Sequence, residues 1–85
     1  MDKRRIIELR GRAQSLPATV RIGKDGITQT VIDEVVRQLK KTKLVKVKLL
    51  PSVEKDRKEA GAELAKVTSS VLIEVRGRTV VLASE

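Results

Sequence analysis

The sequence of 85 residues contains no cysteine, no histidine and no aromatic residue. Without cysteine it forms no disulfide and no thiolate metal site, and without histidine it lacks the commonest metal ligand and the usual general base. We therefore expect no metal, no cofactor and no enzymatic activity. The apolar fraction of 40% consists almost entirely of Val, Ile, Leu and Ala, which predicts a single domain over residues 1–85 with one modest aliphatic core.

Long hydrophobic runs are also missing. No apolar segment approaches the length of a membrane-spanning helix, and residues 1–8 carry positive charge without the apolar stretch of a signal peptide. These absences predict a cytoplasmic protein with no membrane partner and no small-molecule substrate, and we expect it to be a monomer.

Positive charge is what the sequence has in excess. Lys and Arg number 19 against 11 Asp and Glu, for a net charge of +8. Residues 1–48 hold thirteen basic and five acidic side chains, whereas residues 49–85 hold six of each. An acid-free run from Arg37 to Lys48 contains six of the basic residues. Such a concentrated excess favours a polyanionic partner, and the alternative is a solvated surface that keeps the protein soluble.

The spacing of apolar residues predicts three helices and four strands. The helices cover residues 3–16, 29–41 and 53–67, and the strands cover residues 18–22, 44–50, 71–75 and 79–82. Thr28 and Ser52 are the predicted N-caps, and Pro17 ends the first helix. The order α-β-α-β-α-β-β predicts an α/β fold, a mixed four-stranded sheet with helices packed on it. The helical residues expected in the core are Ile6, Ile7, Leu9, Ala13, Leu16, Val31, Ile32, Val35, Val36, Leu39, Ala60, Leu64 and Val67.

The strongest local feature is the loop Gly23-Lys24-Asp25-Gly26 between a predicted strand and a predicted helix. Two glycines allow a tight turn and the close approach of a phosphate, and the following helix N-terminus favours an anion. KH domains clamp a nucleic-acid backbone with such a GXXG loop. Many strand-to-helix turns with two glycines bind nothing, but Lys24, Arg21 and the acid-free run favour a phosphate site. Asp25 is unfavourable beside a phosphate, so we expect no direct contact from it.

Other nucleotide and catalytic motifs are excluded. A P-loop needs four residues between its glycines and a following Lys and Ser or Thr, and the dinucleotide fingerprint needs a third glycine. The serines have no histidine to activate them. Because the chain has no aromatic ring for stacking, binding must use phosphate and sugar contacts, stacking of arginine on bases, and the shape of the RNA. We expect modest sequence specificity and strong salt dependence.

Basic residues elsewhere extend the candidate surface. Lys46 and Lys48 point to the same side of a strand, which is either an open binding face or a solvated one. Arg76 and Arg78 flank the predicted hairpin turn at Gly77, where exposed arginines are also common. The predicted RNA-binding site, in which Asp25 is included as part of the loop and not as a direct contact, consists of Arg12, Arg21, Gly23, Lys24, Asp25, Gly26, Thr28, Lys46, Lys48, Arg76 and Arg78.

Three motifs in order resemble the CRM domain, whose name stands for chloroplast RNA splicing and ribosome maturation, and its stand-alone YhbY-like members. They are VRIGKDGIT at residues 20–28, LVKVK at residues 44–48 and VRGRTVVL at residues 75–82. Leu9, Arg10 and Ala13, ahead of Leu16 and Pro17, also fit, so the resemblance spans nearly the whole chain.

The resemblance implies a compact α/β domain similar to the C-terminal domain of translation initiation factor 3, and it implies RNA binding. Single-module members are associated with precursors of the large ribosomal subunit, and plant multi-module members with group II intron splicing. By position, residues 23–26 are the family's GXXG loop. The chain departs from the family at Lys43, where an acidic residue is frequent, and at Ala83 and Ser84, where Tyr-Arg is frequent.

Several functions remain open from sequence. The first is an RNA-binding factor in large-subunit assembly, with ribosomal RNA or a pre-ribosomal particle as its partner. The second is a protein-interaction or structural component of a ribonucleoprotein. A splicing or RNA-chaperone role and binding of duplex DNA are further alternatives.

Overall fold

Seven elements follow one another in the predicted order in the computed structural model, which describes residues 1–85. Strands β1 (Val20–Ile22) and β2 (Leu44–Leu49) are parallel, and β4 (Thr79–Ala83) lies between β2 and β3 (Val71–Arg76) and is antiparallel to both. The predicted fold class, one compact domain with a mixed four-stranded sheet and three helices, is confirmed. The helices are α1 (Lys3–Ala13), α2 (Gln29–Thr42) and α3 (Arg57–Val67).

The sheet is covered on both faces, because alternate strand residues point to opposite sides. Helices α2 and α3 cover one face and form the larger core with Val20, Ile22, Val45, Val47 and Leu49 of the parallel strands. Helix α1 covers part of the other face, where a second core contains Leu9, Ala13, Leu44, Ile73, Val81 and Ala83. The single core that composition predicts is therefore two aliphatic layers divided by the sheet.

Helix ends differ from the sequence prediction in two places. Helix α1 stops at Ala13 rather than residue 16, because the N–H groups of residues 14–16 donate to carbonyls three residues back and tighten the chain. Helix α3 begins at Arg57, where the Asp56 carboxylate accepts from two N–H groups, so Ser52 is not its cap. The Thr28 cap is confirmed: its Oγ1 accepts from the N–H of Val31 at 3.3 Å.

Three apolar side chains predicted in the core are exposed, Ile7 by 56%, Val67 by 42% and Leu16 by 39%. Leu16 follows the end of α1 at Ala13 and is not part of the helix. Helix α1 contacts the sheet through a narrow stripe centred on Leu9 and Ala13, so Ile7 lies outside it. Helix α3 packs closely through Gly61, where a Cβ would come within 3.1 Å of Val75 Cγ2, and its last residue extends beyond the sheet contact. No helix combines the length and apolar character required to cross a membrane.

A β-bulge in β3 changes which side chains share a face. The register moves from Leu72 opposite Leu82 to Glu74 opposite Val81, so Ile73 is the additional residue. Ile73 and Glu74 therefore both lie on the α1 face, and Arg76, opposite Thr79, lies on that face as well. Without the bulge, Arg76 would point to the face that α2 and α3 cover.

Candidate nucleic-acid interface

The glycine-bounded loop is a tight turn at the end of β1. The N–H of Gly26 donates to the carbonyl of Gly23 at 3.0 Å, and Gly26 has a φ of 70°, a conformation that favours glycine. Gly23 has no positive φ, and a Cβ there would be 3.6 Å from Leu50 Cδ1, an ordinary contact. The expectation that both glycines permit the turn therefore holds for Gly26 alone.

The tip of this loop offers unused hydrogen-bond donors. Lys24 and Asp25 are exposed, and their N–H groups make no hydrogen bond within the protein. Two residues, Ile27 and Thr28, separate the loop from α2, and the Thr28 side chain is already engaged as the helix cap. Asp25 makes no hydrogen bond or ion pair and does not cap the helix. Free N–H groups beside the Lys24 ammonium suit a phosphate.

A row of basic side chains crosses the sheet next to this loop. Arg21 of β1 is opposite Lys48 of β2, Lys48 is opposite Thr79 of β4, and Thr79 is opposite Arg76 of β3. Residues directly opposite in register point to the same face, so three exposed cations lie in line on the α1 face. We call Arg21, Lys48 and Arg76, with Thr79 between the last two, the basic row. Because neighbouring strands are about 4.8 Å apart, the row spans about 14 Å.

The basic row crosses the strands near the end of the sheet from which the loop follows β1. We call this end of the domain the loop end. The carbonyl of Arg78 accepts from the N–H of Leu49 at 2.7 Å, which places the β3–β4 hairpin beside the end of β2. No carboxylate lies within salt-bridge distance of the five basic residues there, whereas Lys55, on the segment beside the loop, pairs with Glu63. The loop end therefore carries an excess of positive charge, from Arg21, Lys24, Lys48, Arg76 and Arg78 against Asp25 in the loop.

Lys46 does not belong to this open surface. It points to the same side as Lys48, as predicted, but it is half-buried and its Nζ donates to the carbonyls of Ala13 at 3.1 Å and Leu16 at 3.0 Å. Its charge neutralises the C-terminal end of α1. The side that the two lysines share is therefore open at Lys48 and closed by α1 at Lys46.

The acid-free run is divided between the two ends of the domain. Helix α2 has 14 residues and carries the chain about 21 Å away from the loop. Lys43 lies at the opposite end of the strands, where its carbonyl accepts from the N–H of Ser84 at 3.0 Å. Arg37 pairs with Glu34, and its hydrogen bond, followed by one from Gln38, holds the pKa of that carboxyl below its usual value. The run thus contributes only Lys48 to the loop end.

Two further segments border the loop end, the last turn of α1 and residues 53–55. Arg12 is exposed in the last turn of α1, and it adjoins Ala13, which lines a cleft shared with Arg76 and Thr79. The second segment, missed by sequence reasoning, is that of residues 53–55, which lies against the loop and lines a cleft with it. Its only sequence signal is position, since it follows β2 and must turn beside the end of β1.

Fold and site together define a small α/β domain with a glycine-bounded turn between β1 and α2, and with basic residues at the loop end that form no salt bridge. The sequence model of the CRS1 / YhbY (CRM) domain matches residues 1–83, and the chain belongs to this family. It is 31% identical to the probable RNA-binding protein YqeI of Bacillus subtilis over 77 residues, 91% of this chain and 80% of YqeI.

An archaeal relative and a solved structure agree with this assignment. The chain is 37% identical over 76 residues to the probable RNA-binding protein MJ0652 of Methanocaldococcus jannaschii, covering 87% of this chain and 56% of that longer protein. The solution structure of hypothetical protein SAV1595 from Staphylococcus aureus, described as a suggested RNA binding protein, superposes with a TM-score of 0.85 at 29% identity. That match covers 100% of this chain and 88% of the other.

Proposed function

We propose that this protein binds the phosphate backbone of structured RNA at the loop end, through the GXXG loop and the basic row. The observation that carries the proposal is the convergence of five unpaired basic side chains on one edge, beside the free N–H groups of Lys24 and Asp25. Arginine and lysine neutralise phosphates and release counterions, which is the main source of affinity for a nucleic acid. The names of YqeI and MJ0652 support RNA as the polyanion.

The proposed biological target is RNA of the large ribosomal subunit during its assembly. Family membership supports this choice, because the resemblance implies pre-ribosomal RNA for members with a single module. The proposal includes a monomer acting in the cytoplasm, and a mass measurement by sedimentation equilibrium checks the first of these two properties.

A binding titration with a charge reversal tests the proposal. Wild type, Lys24→Glu and Lys40→Glu would be titrated against large-subunit RNA fragments, tRNA and duplex DNA at several salt concentrations. Lys40 is the matched control, because it is exposed near the C-terminal end of α2, away from the loop. We expect Lys24→Glu to weaken binding to RNA by at least about tenfold, since it removes one phosphate contact and adds a repulsion, and Lys40→Glu to act far less.

Each alternative function has its own outcome in this titration. Duplex DNA competing as well as RNA fragments would favour a DNA-binding protein. Equal weak binding to every polyanion, reduced alike by both variants, would contradict the proposal and would favour a protein partner within a ribonucleoprotein.

A further inference from the structure

A cleft of about 340 Å³ lies directly beside the GXXG loop, on the side that faces α3. Its volume is within the range of pockets that bind small molecules. The floor is aliphatic and includes Ile27 and Val53, both half-buried against the main core. Lys24 stands on one wall, and Glu54, Lys55 and Glu63 stand on the other. The cleft therefore joins an apolar surface to the proposed phosphate site.

Charge distinguishes this cleft from the basic row. Lys24 and Lys55 contribute two positive charges to its walls, and Glu54 and Glu63 contribute two negative charges, so its net charge is zero. With its charges balanced, the interior of the cleft offers a phosphate no net attraction, and a phosphate would gain nothing from the aliphatic floor. In a protein with a net charge of +8, a neutral, partly apolar cleft therefore lies directly beside the basic loop end, and Lys24 borders both.

A nucleotide likewise joins a charged part to a neutral, partly apolar part. Its phosphate is anionic, whereas its base is neutral, flat, apolar on its faces and hydrogen-bonding at its edge. Glu63 is engaged in an ion pair with Lys55, but Glu54 is exposed and makes no ion pair or hydrogen bond. An ionised carboxylate only accepts hydrogen bonds, so Glu54 suits an exocyclic amino group such as N4 of cytosine. Uracil has no such group.

We infer that this cleft binds a single unpaired nucleobase whose phosphate lies on the GXXG loop, and that Glu54 selects bases carrying an exocyclic amino group. The inference rests on the proposed function and adds base recognition to it. An aliphatic floor takes the place of the aromatic rings that the chain lacks. Because a paired base cannot enter, the loop would take nucleotides from the bulges and loops of a structured RNA.

Short homopolymers test the inference. Eight-nucleotide RNAs of cytidine and of uridine would be titrated with wild type, Glu54→Gln and the control Glu59→Gln, which removes the same charge from an exposed residue of α3 outside the cleft. We expect wild type and the control to bind the cytidine oligomer about tenfold more tightly, the effect of one hydrogen bond to a charged acceptor. In Glu54→Gln this preference should fall to about one, with the salt dependence unchanged.

A second measurement does not rely on phosphate contacts. Free cytidine, a neutral nucleoside, should shift the methyl resonances of Ile27 and Val53 in NMR spectra, whereas inorganic phosphate should leave them unchanged. Equal binding of the two oligomers by wild type, or a preference that survives Glu54→Gln, would overturn the inference. If RNA fragments still bind in a Lys24-dependent way, the proposed function stands without the cleft. A wild type that binds no RNA at all would overturn both.

Discussion

Replacing Lys48 by glutamine should reduce the salt dependence of RNA binding by a calculable amount. Lys48 is exposed at the centre of the basic row, between Arg21 and Thr79, and no carboxylate pairs with it. The loop end presents five unpaired basic residues. At about 0.7 counterions released per contact with a single strand, the plot of log K against log salt concentration should have a slope of about −3.5. Affinity should then fall about 130-fold between 50 and 200 mM salt.

Without Lys48 the same calculation uses four contacts. The slope should become about −2.8, and affinity near 0.1 M salt should fall about fivefold. Fluorescence anisotropy titrations of one labelled RNA at four or more salt concentrations measure both quantities. Lys41→Gln is the matched control, because it removes an equal charge from the exposed C-terminal end of α2. Equal changes of slope in the two variants would refute the localised interface, since they would mean that only the net charge matters.

Three further predictions concern the structure around the interface. Gly26→Ala should destabilise the fold by about 1 kcal/mol in denaturant unfolding, because alanine is strained at a φ of 70°, whereas Gly23→Ala should be nearly neutral; equal losses would contradict this. Thr28→Ala should cost about 1 kcal/mol of unfolding free energy through the lost N-cap of α2, and an unchanged midpoint would argue against that role. Lys46→Met should lower stability, because it leaves the carbonyls of Ala13 and Leu16 without their donor, and should leave the salt slope for RNA unchanged; a slope reduced as in Lys48→Gln would contradict its structural assignment.

Local patterns were sufficient for much of the fold. Alternation along residues 44–50 correctly placed Val45, Val47 and Leu49 in the core and the two lysines on the other face. The cap at Thr28 and the loop before it follow from residue chemistry over a few positions. The start of α3 was predicted wrongly: Asp56 caps it in place of Ser52, because the Asp56 carboxylate accepts from the N–H groups of Lys58 and Glu59.

The interface depended on long-range relations that local patterns do not contain. Most of its residues were named from sequence, but their alignment depends on strand register, and the position of Arg76 depends on the bulge in β3. Lys46 and Lys48 look equivalent in sequence, and only the position of α1 separates a helix-capping lysine from an exposed one. Likewise, a continuous basic run suggested one surface, whereas α2 divides it between opposite ends of the sheet.

The most direct test of the central claim is to map RNA contacts by NMR, following the backbone amide signals of the labelled protein as RNA is added. We predict that the largest changes occur at residues 23–26, at Lys48 and in the hairpin at residues 76–79, with little change at the C-terminal end of α2. Changes concentrated at Lys40, Lys41 and Lys43, with the loop unaffected, would contradict the account and would place the RNA at the opposite end of the domain.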